Sequence, residues 1–349
     1  MNIGFYSPYF DTLGGGERYV LTLASHWSLR HNVKLFWDDP SITQSAQKRF
    51  DIDLSRIKVT RNIFRDTFLF KKFVLTRQYD LIFFLSDGSI PLSFARYNIL
   101  HFQVPFEKIA YSAIKVSRYQ AVVCNSQFTK EELDRRLGHR AEVIYPPVYP
   151  VAARRGEKEN IILSVGRFTG FHTVKKQYVL IEAFARGIQE KKWKGWRLVL
   201  AGGLLPSDRQ YFDSLRDLAR GLPVTFEANI SHTSLDEYYQ KSTIYWHGAG
   251  YGENDPQWME HFGITTAEAM SAGVVPLVFA GGGQPEIVDN GKNGFLWSSI
   301  EELVDKTTMV MTQKNIIEVM GKNAVVKSKQ VSVTRFCDDF DALLTKIVL

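Results

Sequence analysis

Two glutamates eight positions apart, Glu260 and Glu268, enclose the run EHFGITTAE. Glu268 is expected in the first turn of a helix, where the dipole favours a carboxylate. Glu260 comes before that helix, and the N–H groups of His261, Phe262 and Gly263 are then free to meet a ligand. One carboxylate of such a pair can accept hydrogen bonds from a vicinal diol while the other faces a second hydroxyl-bearing group. Helix capping alone would account for Glu268 but not for the whole run.

Cations are placed to complement these acids. Arg167 directly follows the apolar run ILSVG, and Lys175 and Lys176 return after the loop FTGFHTV. Fixed positive charge at a strand end neutralises a diphosphate, and does so more strongly as a leaving group gathers charge; an isolated Arg and Lys would simply be solvated. Near the N-terminus Gly14-Gly15-Gly16-Glu17 joins a strand to a helix, so backbone and helix N-terminus can approach an anion. It is not a G-x-G-x-x-G fingerprint, and no acid suited to a ribose ends the second strand, which argues against a nicotinamide site. GGGQPEIV, after the strand ending at Phe279, supplies a further set of glycines. No D-x-D motif or His/Asp cluster suggests a bound metal. Asp338, Asp339 and Asp341 read as a solvated helix face.

The elements that must position these residues alternate. Apolar strands at 2–7, 33–37, 81–85, 99–102, 121–124 and 143–145 are interleaved with helices at about 17–29 and 126–137, the latter with a capping signal at Ser126 or Thr129. Pro146-Pro147-Val-Tyr-Pro150 and the charged Arg154–Asn160 read as a linker. Strands at 161–165, 197–201, 224–226, 244–247 and 275–279 restart the pattern. The fold class is therefore α/β, with two doubly wound Rossmann-like domains whose ligand crevices lie at the carboxyl ends of the strands. The domains are expected at 1–150 and 151–333, facing each other across a cleft. A helix at 334–349 can pack back on the N-terminal domain, although periodicity does not choose between the two.

Composition narrows the class. In 349 residues, 45% apolar and 23% charged is the balance of a globular chain. Two cysteines, Cys124 and Cys337, make no disulfide framework. The first residues lack a signal-peptide pattern and no apolar run approaches a membrane span, so a cytoplasmic protein is expected. The formal charge of +6 lies wholly in residues 1–150, which hold 20 Lys and Arg against 14 Asp and Glu. Residues 56–77 carry Arg56, Lys58, Arg61, Arg65, Lys71, Lys72 and Arg77 with one acid, Asp66. Ile63, Phe64, Phe68, Phe70, Phe73 and Val74 are interleaved with them. This stretch either lies on an anionic membrane surface or forms a helix with a solvated basic face and its aromatics in the core. No recognition motif accompanies the charge to indicate nucleic acid.

Taken together, E-x7-E followed by A-M-x-A-G-x-x-P, GGGER, VGRF…KKQ…LIEAF, GGGQPEIV…NGFLW, CNSQFT and VIYPPV resemble glycosyltransferase family 4, in order from Gly14 to Trp297. The resemblance implies the GT-B fold and retaining transfer from a nucleoside diphosphate sugar without a metal or other cofactor. It implies catalytic roles for Glu260 and His101, the latter beside the donor's anomeric carbon; a lone His at a strand end is otherwise a core residue. It places the donor phosphates on Gly15, Gly16, Arg167 and Lys175, with Lys176 as rival, because the loop before them is longer than the usual pattern. It places the ribose on Glu268 and the sugar on Glu260, His261, Phe262 and Gly263. Uridine and guanosine donors fit equally.

The acceptor, a saccharide or lipid-linked saccharide, is expected on the basic N-terminal half, with the protein peripheral to the cytoplasmic membrane face. Two other readings share these features: a sugar-nucleotide epimerase, which needs no acceptor, and a non-catalytic nucleotide-sugar-binding protein.

Overall fold

The computed structural model describes residues 1–65, 69–152, 157–170, 175–191 and 193–349. Asp66 and Phe68 of the basic stretch, Arg154 of the linker and the end of the FTGFHTV loop lie outside the described residues. The chain divides into two compact units, Met1–Pro147 with Val333–Leu349, and Val148–Ser332.

Among the described residues the first unit holds seven strands: β1 (Asn2–Tyr6), β2 (Asn32–Phe36), β3 (Lys58–Thr60), β4 (Leu81–Leu85), β5 (Tyr97–Phe102), β6 (Ala121–Cys124) and β7 (Ala141–Val143). All pair in parallel, in the order β3-β2-β1-β4-β5-β6-β7. A parallel sheet is covered on both faces, so its central strands read as unbroken apolar runs; every residue of LIFFL in β4 is buried. The second unit holds β8 (Glu159–Val165), β9 (Arg197–Gly202), β10 (Val224–Ala228), β11 (Ser242–His247), β12 (Val275–Phe279) and β13 (Phe295–Trp297). They pair in parallel in the order β10-β9-β8-β11-β12-β13. In both sheets the strand order reverses beside the first strand, which places the crevice for a ligand at the carboxyl ends of β1 and β4, and of β8 and β11.

Three local expectations are corrected. The helix expected at 126–137 is two, Gln127–Glu132 and Arg135–Gly138. Leu133 between them is extended, and Asp134 starts the second by accepting the Arg136 N–H. Ser126 caps the first through the Thr129 N–H, a contact worth about 1 kcal/mol. The acids near the C-terminus are not merely solvated: on the helix Val333–Val348, Asp341 accepts the indole N–H of Trp27 at 3.0 Å and pairs with Arg30. Phe340 of the same helix meets Trp27 and Phe83 edge-on, and Phe336 meets Tyr19. The aromatics of the 56–77 stretch divide: Ile63 is buried and Phe64 packs on Tyr6, Phe36 and Phe84, whereas Phe70, Phe73 and Val74 are exposed. Among the described residues no helix is long and apolar enough to cross a membrane.

Candidate functional site

In the C-terminal unit the chemistry gathers at the carboxyl ends of β8 and β11. Alternation along β11 sends Trp246 into the core against Trp193 and Phe184, and sends Tyr245 and His247 to the opposite face. The Tyr245 hydroxyl donates to Thr265 Oγ1 at 2.7 Å, tying the strand to the helix Ile264–Ser271. Its phenol is pushed well above the usual range, chiefly by burial and then by the charges of Glu260 and Glu268. Tyr245 therefore lies near both carboxylates.

Glu260 is the centre of the cluster. Lys175 Nζ lies 2.7 Å from its Oε2, and His247 Nε2 stands 3.1 Å from the same oxygen. Burial alone would raise this carboxyl; Lys175 and then His247 overcome that and hold it well below the ordinary carboxylate range. The backbone beneath it is fixed by the glycine loop after β12. Gly283 N–H donates to the Glu260 carbonyl at 2.8 Å. A Cβ on Gly282 would stand 2.1 Å from that carbonyl oxygen, and the φ of Gly282 is +63°. These glycines thus act as a bed for the Glu260 loop. The fully buried Gln284 follows them, its amide against Gly263. His261 is pushed down by burial, and the Phe262 side chain is buried. Gly263, at φ +107°, is the N-cap of the helix that carries Glu268.

Glu268 is the fifth residue of that helix rather than part of its first turn. It is buried, with its Oε2 accepting the Tyr239 hydroxyl at 3.1 Å. The helix axis points Glu268 back toward its own N-terminus, as side chains on helices do.

The cations divide their work. Arg167 is exposed immediately after β8, and its backbone is pinned on both sides: Gly166 N–H donates to Ala201 and Phe168 N–H to Gly203. Its carbonyl accepts the Gln177 amide. The Lys175 stem crosses Gly166 so closely that a Cβ there would fall 2.7 Å from Lys175 Cγ. Lys175 and Glu260 are thereby brought beside the end of β8, whereas the Arg167 stem lies against Gly203. Lys176 goes elsewhere: it adopts a left-handed φ of 55°, pairs with Glu253 and lies over the Tyr178 ring.

In the N-terminal unit the helix begins at Gly15, so Gly15 and Gly16 form its first turn. Glu17 Oε2 accepts both the Thr12 hydroxyl and the Gly14 N–H, at 2.7 and 2.8 Å, which closes the loop. Gln103, just beyond β5, packs on Gly16 and donates to its carbonyl. His101 lies next to the last residue of β5. It is fully buried, its Nδ1 3.1 Å from the Val123 carbonyl and its ring stacked on Tyr19 at 4.1 Å. Burial brings it down to about 3, so the imidazole is uncharged at neutral pH.

Tyr239 was not singled out in the sequence, whereas His247 and Glu253 lie in the Gly-rich run HGAGYGENDPQW, read as a loop shaped around the sugar, and Gln284 lies in GGGQPEIV. His247 was accessible by position, since it ends β11 beside the reversal of strand order, and Arg167 lies two residues past the end of β8. Among the described residues no group of three or more His, Cys, Asp or Glu is arranged to hold a metal ion.

Residues 149–326 match the family model of glycosyl transferases group 1, and residues 13–150 match that of Glycosyltransferase Family 4. A mouse GDP-Man:Man(3)GlcNAc(2)-PP-Dol alpha-1,2-mannosyltransferase is 28% identical over 238 residues, 62% of this chain and 45% of that protein. The Dictyostelium discoideum protein of the same name is 23% identical over 433 residues, 97% of this chain and 83% of that protein. The chain thus spans less than half of the mouse relative. Among solved structures, Anabaena Alr3699/HepE in complex with UDP superposes with a TM-score of 0.76 at 19% identity, covering 99% of both chains. Sucrose-phosphate synthase from Thermosynechococcus elongatus gives 0.72 at 17% identity, covering 100% of this chain and 99% of that one. These likenesses carry the GT-B fold.

Proposed function

The chain belongs to glycosyltransferase family 4, and on that footing we propose that it moves a hexose, with retained anomeric configuration, from a nucleoside diphosphate sugar to a hydroxyl of a lipid-linked saccharide. The observation that carries the reading is the Lys175–Glu260 ion pair at the carboxyl edge of the second sheet, where Arg167 follows β8 two residues on. GDP-mannose is the first donor to test, because the relatives above are named for it.

In the proposed step the bond between the anomeric carbon and the β-phosphate oxygen breaks. The acceptor oxygen bonds to that carbon on the same face, and its proton passes to the departing phosphate. Arg167 and Lys175 meet the charge growing on the diphosphate, an effect worth several kcal/mol in a water-poor site. Gly15 and Gly16, as the first turn of a helix, supply N–H groups suited to an anion. Glu260 orients the sugar hydroxyls together with the backbone of residues 261–263, and its negative charge favours the oxocarbenium character of the sugar. Glu268 takes the ribose diol. Side-chain cations and helix ends supply the positive charge, so the proposed step proceeds without a divalent metal.

Incubation with GDP-[¹⁴C]mannose and a lipid diphosphate-linked oligosaccharide, followed by product NMR, tests the reading. A product with the donor's anomeric configuration supports it. An inverted product, or a donor consumed equally with and without acceptor, overturns it.

A further inference from the structure

We propose that the helix Leu69–Thr76 and its basic surroundings are a docking surface for an anionic lipid bilayer. A surface helix ordinarily turns its apolar stripe to the core. Here the stripe faces out: Phe70 is 78% exposed, Phe73 38% and Val74 44%. Their spacing of i, i+3, i+4 sets them on one side, and Arg77 continues the row at i+7 with its guanidinium 5.0 Å from the Phe73 ring. The inward side is anchored by Thr76, which is fully buried. Its hydroxyl donates to the Lys72 carbonyl and accepts the Phe94 N–H. Phe94 in turn packs on Phe73 and carries the Arg118 guanidinium over its ring. Phe73 is therefore held in place by the fold. A groove of about 300 Å³, lined by Arg61, Ile63, Phe70, Lys71, Val74 and Leu75, runs along the same helix.

Charge selects the occupant. The stripe lies within the stretch that carries seven cations and one acid, in the half of the chain that holds all the excess positive charge. Aromatics that enter the acyl boundary and Lys or Arg that meet anionic headgroups are the two components of interfacial binding. A second copy of the chain would bring the same cations against themselves, and an uncharged saccharide would leave those cations without a counter-charge. The proposal goes beyond the donor chemistry and does not depend on it.

Vesicle flotation tests it, with vesicles of phosphatidylcholine alone and of phosphatidylcholine mixed with phosphatidylglycerol, at low and high salt. The protein is expected to float only with the anionic vesicles and to be released by salt. Phe70→Ser with Phe73→Ser, and separately Lys71→Glu with Arg77→Glu, should each reduce the bound fraction about tenfold or more. Unchanged circular dichroism and thermal midpoint in these variants separate lost docking from lost folding. Absence of binding to anionic vesicles, equal binding to both kinds, or binding unaffected by either pair overturns the proposal. So does a dimer in sedimentation that the Phe70→Ser/Phe73→Ser pair dissolves, which would assign the face to self-association.

Discussion

Lys175 Nζ lies 2.7 Å from Glu260 Oε2, so the cation assigned to the diphosphate and the carboxylate assigned to the sugar are partners in one ion pair. Each therefore positions the other, and removing either disturbs both proposed contacts. Lys175→Met and Glu260→Gln are each expected to lower kcat by about 10²–10³-fold, the scale of losing one preorganised electrostatic contact. The double variant should fall well short of the product of the two losses, since residues in direct contact are not additive. Steady-state kinetics on the four proteins checks this; fully multiplicative losses would show that the pair acts as two independent groups.

Lys176 provides the contrast. Its ammonium is engaged with Glu253, so Lys176→Met should loosen the segment around Glu253 and raise KM while leaving kcat within about threefold, as loss of uniform binding does. A kcat loss equal to that of Lys175→Met would transfer the phosphate role to Lys176.

Gly282→Ala places a methyl group 2.1 Å from the Glu260 carbonyl oxygen at a φ of +63°. Strain of at least about 1–2 kcal/mol follows from the left-handed backbone alone. The variant should melt several degrees lower and lose activity together. Calorimetry and kinetics on Gly282→Ala and on Gly281→Ala, whose nearest neighbour is only the Phe279 ring, distinguish a backbone clash from a general intolerance of the loop.

His101 sets a pH dependence of stability. Its folded value is depressed by burial to about 3, against an ordinary value near 6.5. A buried neutral base contributes fully above its unfolded value; its contribution falls as pH drops through 6.5 toward 3, because the unfolded chain takes the proton first. Melting temperatures between pH 7 and pH 4 should therefore fall less steeply for His101→Leu than for the parent. With its ring enclosed against Tyr19, His101→Leu should also retain most of its kcat. A collapse of kcat without loss of stability would restore the catalytic role expected from the motif.

The sheets were largely legible because their central strands are unbroken apolar runs such as LIFFL and AVVC, bounded by turns. KVT in β3 and FLW in β13 are too short to stand out, and register on neighbouring strands defines them. The break at Leu133-Asp134 escaped the helical pattern because Asp134 is held by Arg136 and by the distant Ile109 N–H. Docking of the last helix depends on Phe336 and Phe340 meeting Tyr19 and Trp27, pairings that no periodicity encodes. In the candidate site, residue type and strand-end position pointed to Arg167, Lys175, Glu260 and Glu268. The convergence of His247 on Glu260, and the burial of His101, arise from tertiary packing. The outward turn of Phe70 and Phe73 is likewise invisible in a helical pattern, which gives a stripe but not its direction.

In the proposed function Arg167 and Lys175 grip the diphosphate of the donor. Titration calorimetry of GDP and UDP into the parent protein and the Arg167→Ala/Lys175→Ala variant is the decisive measurement. Binding of at least one nucleotide to the parent, weakened about 100-fold or more in the folded variant, is expected from the loss of two charge-assisted contacts. Equal affinity for parent and variant, or no binding of either nucleotide to the parent, would contradict it.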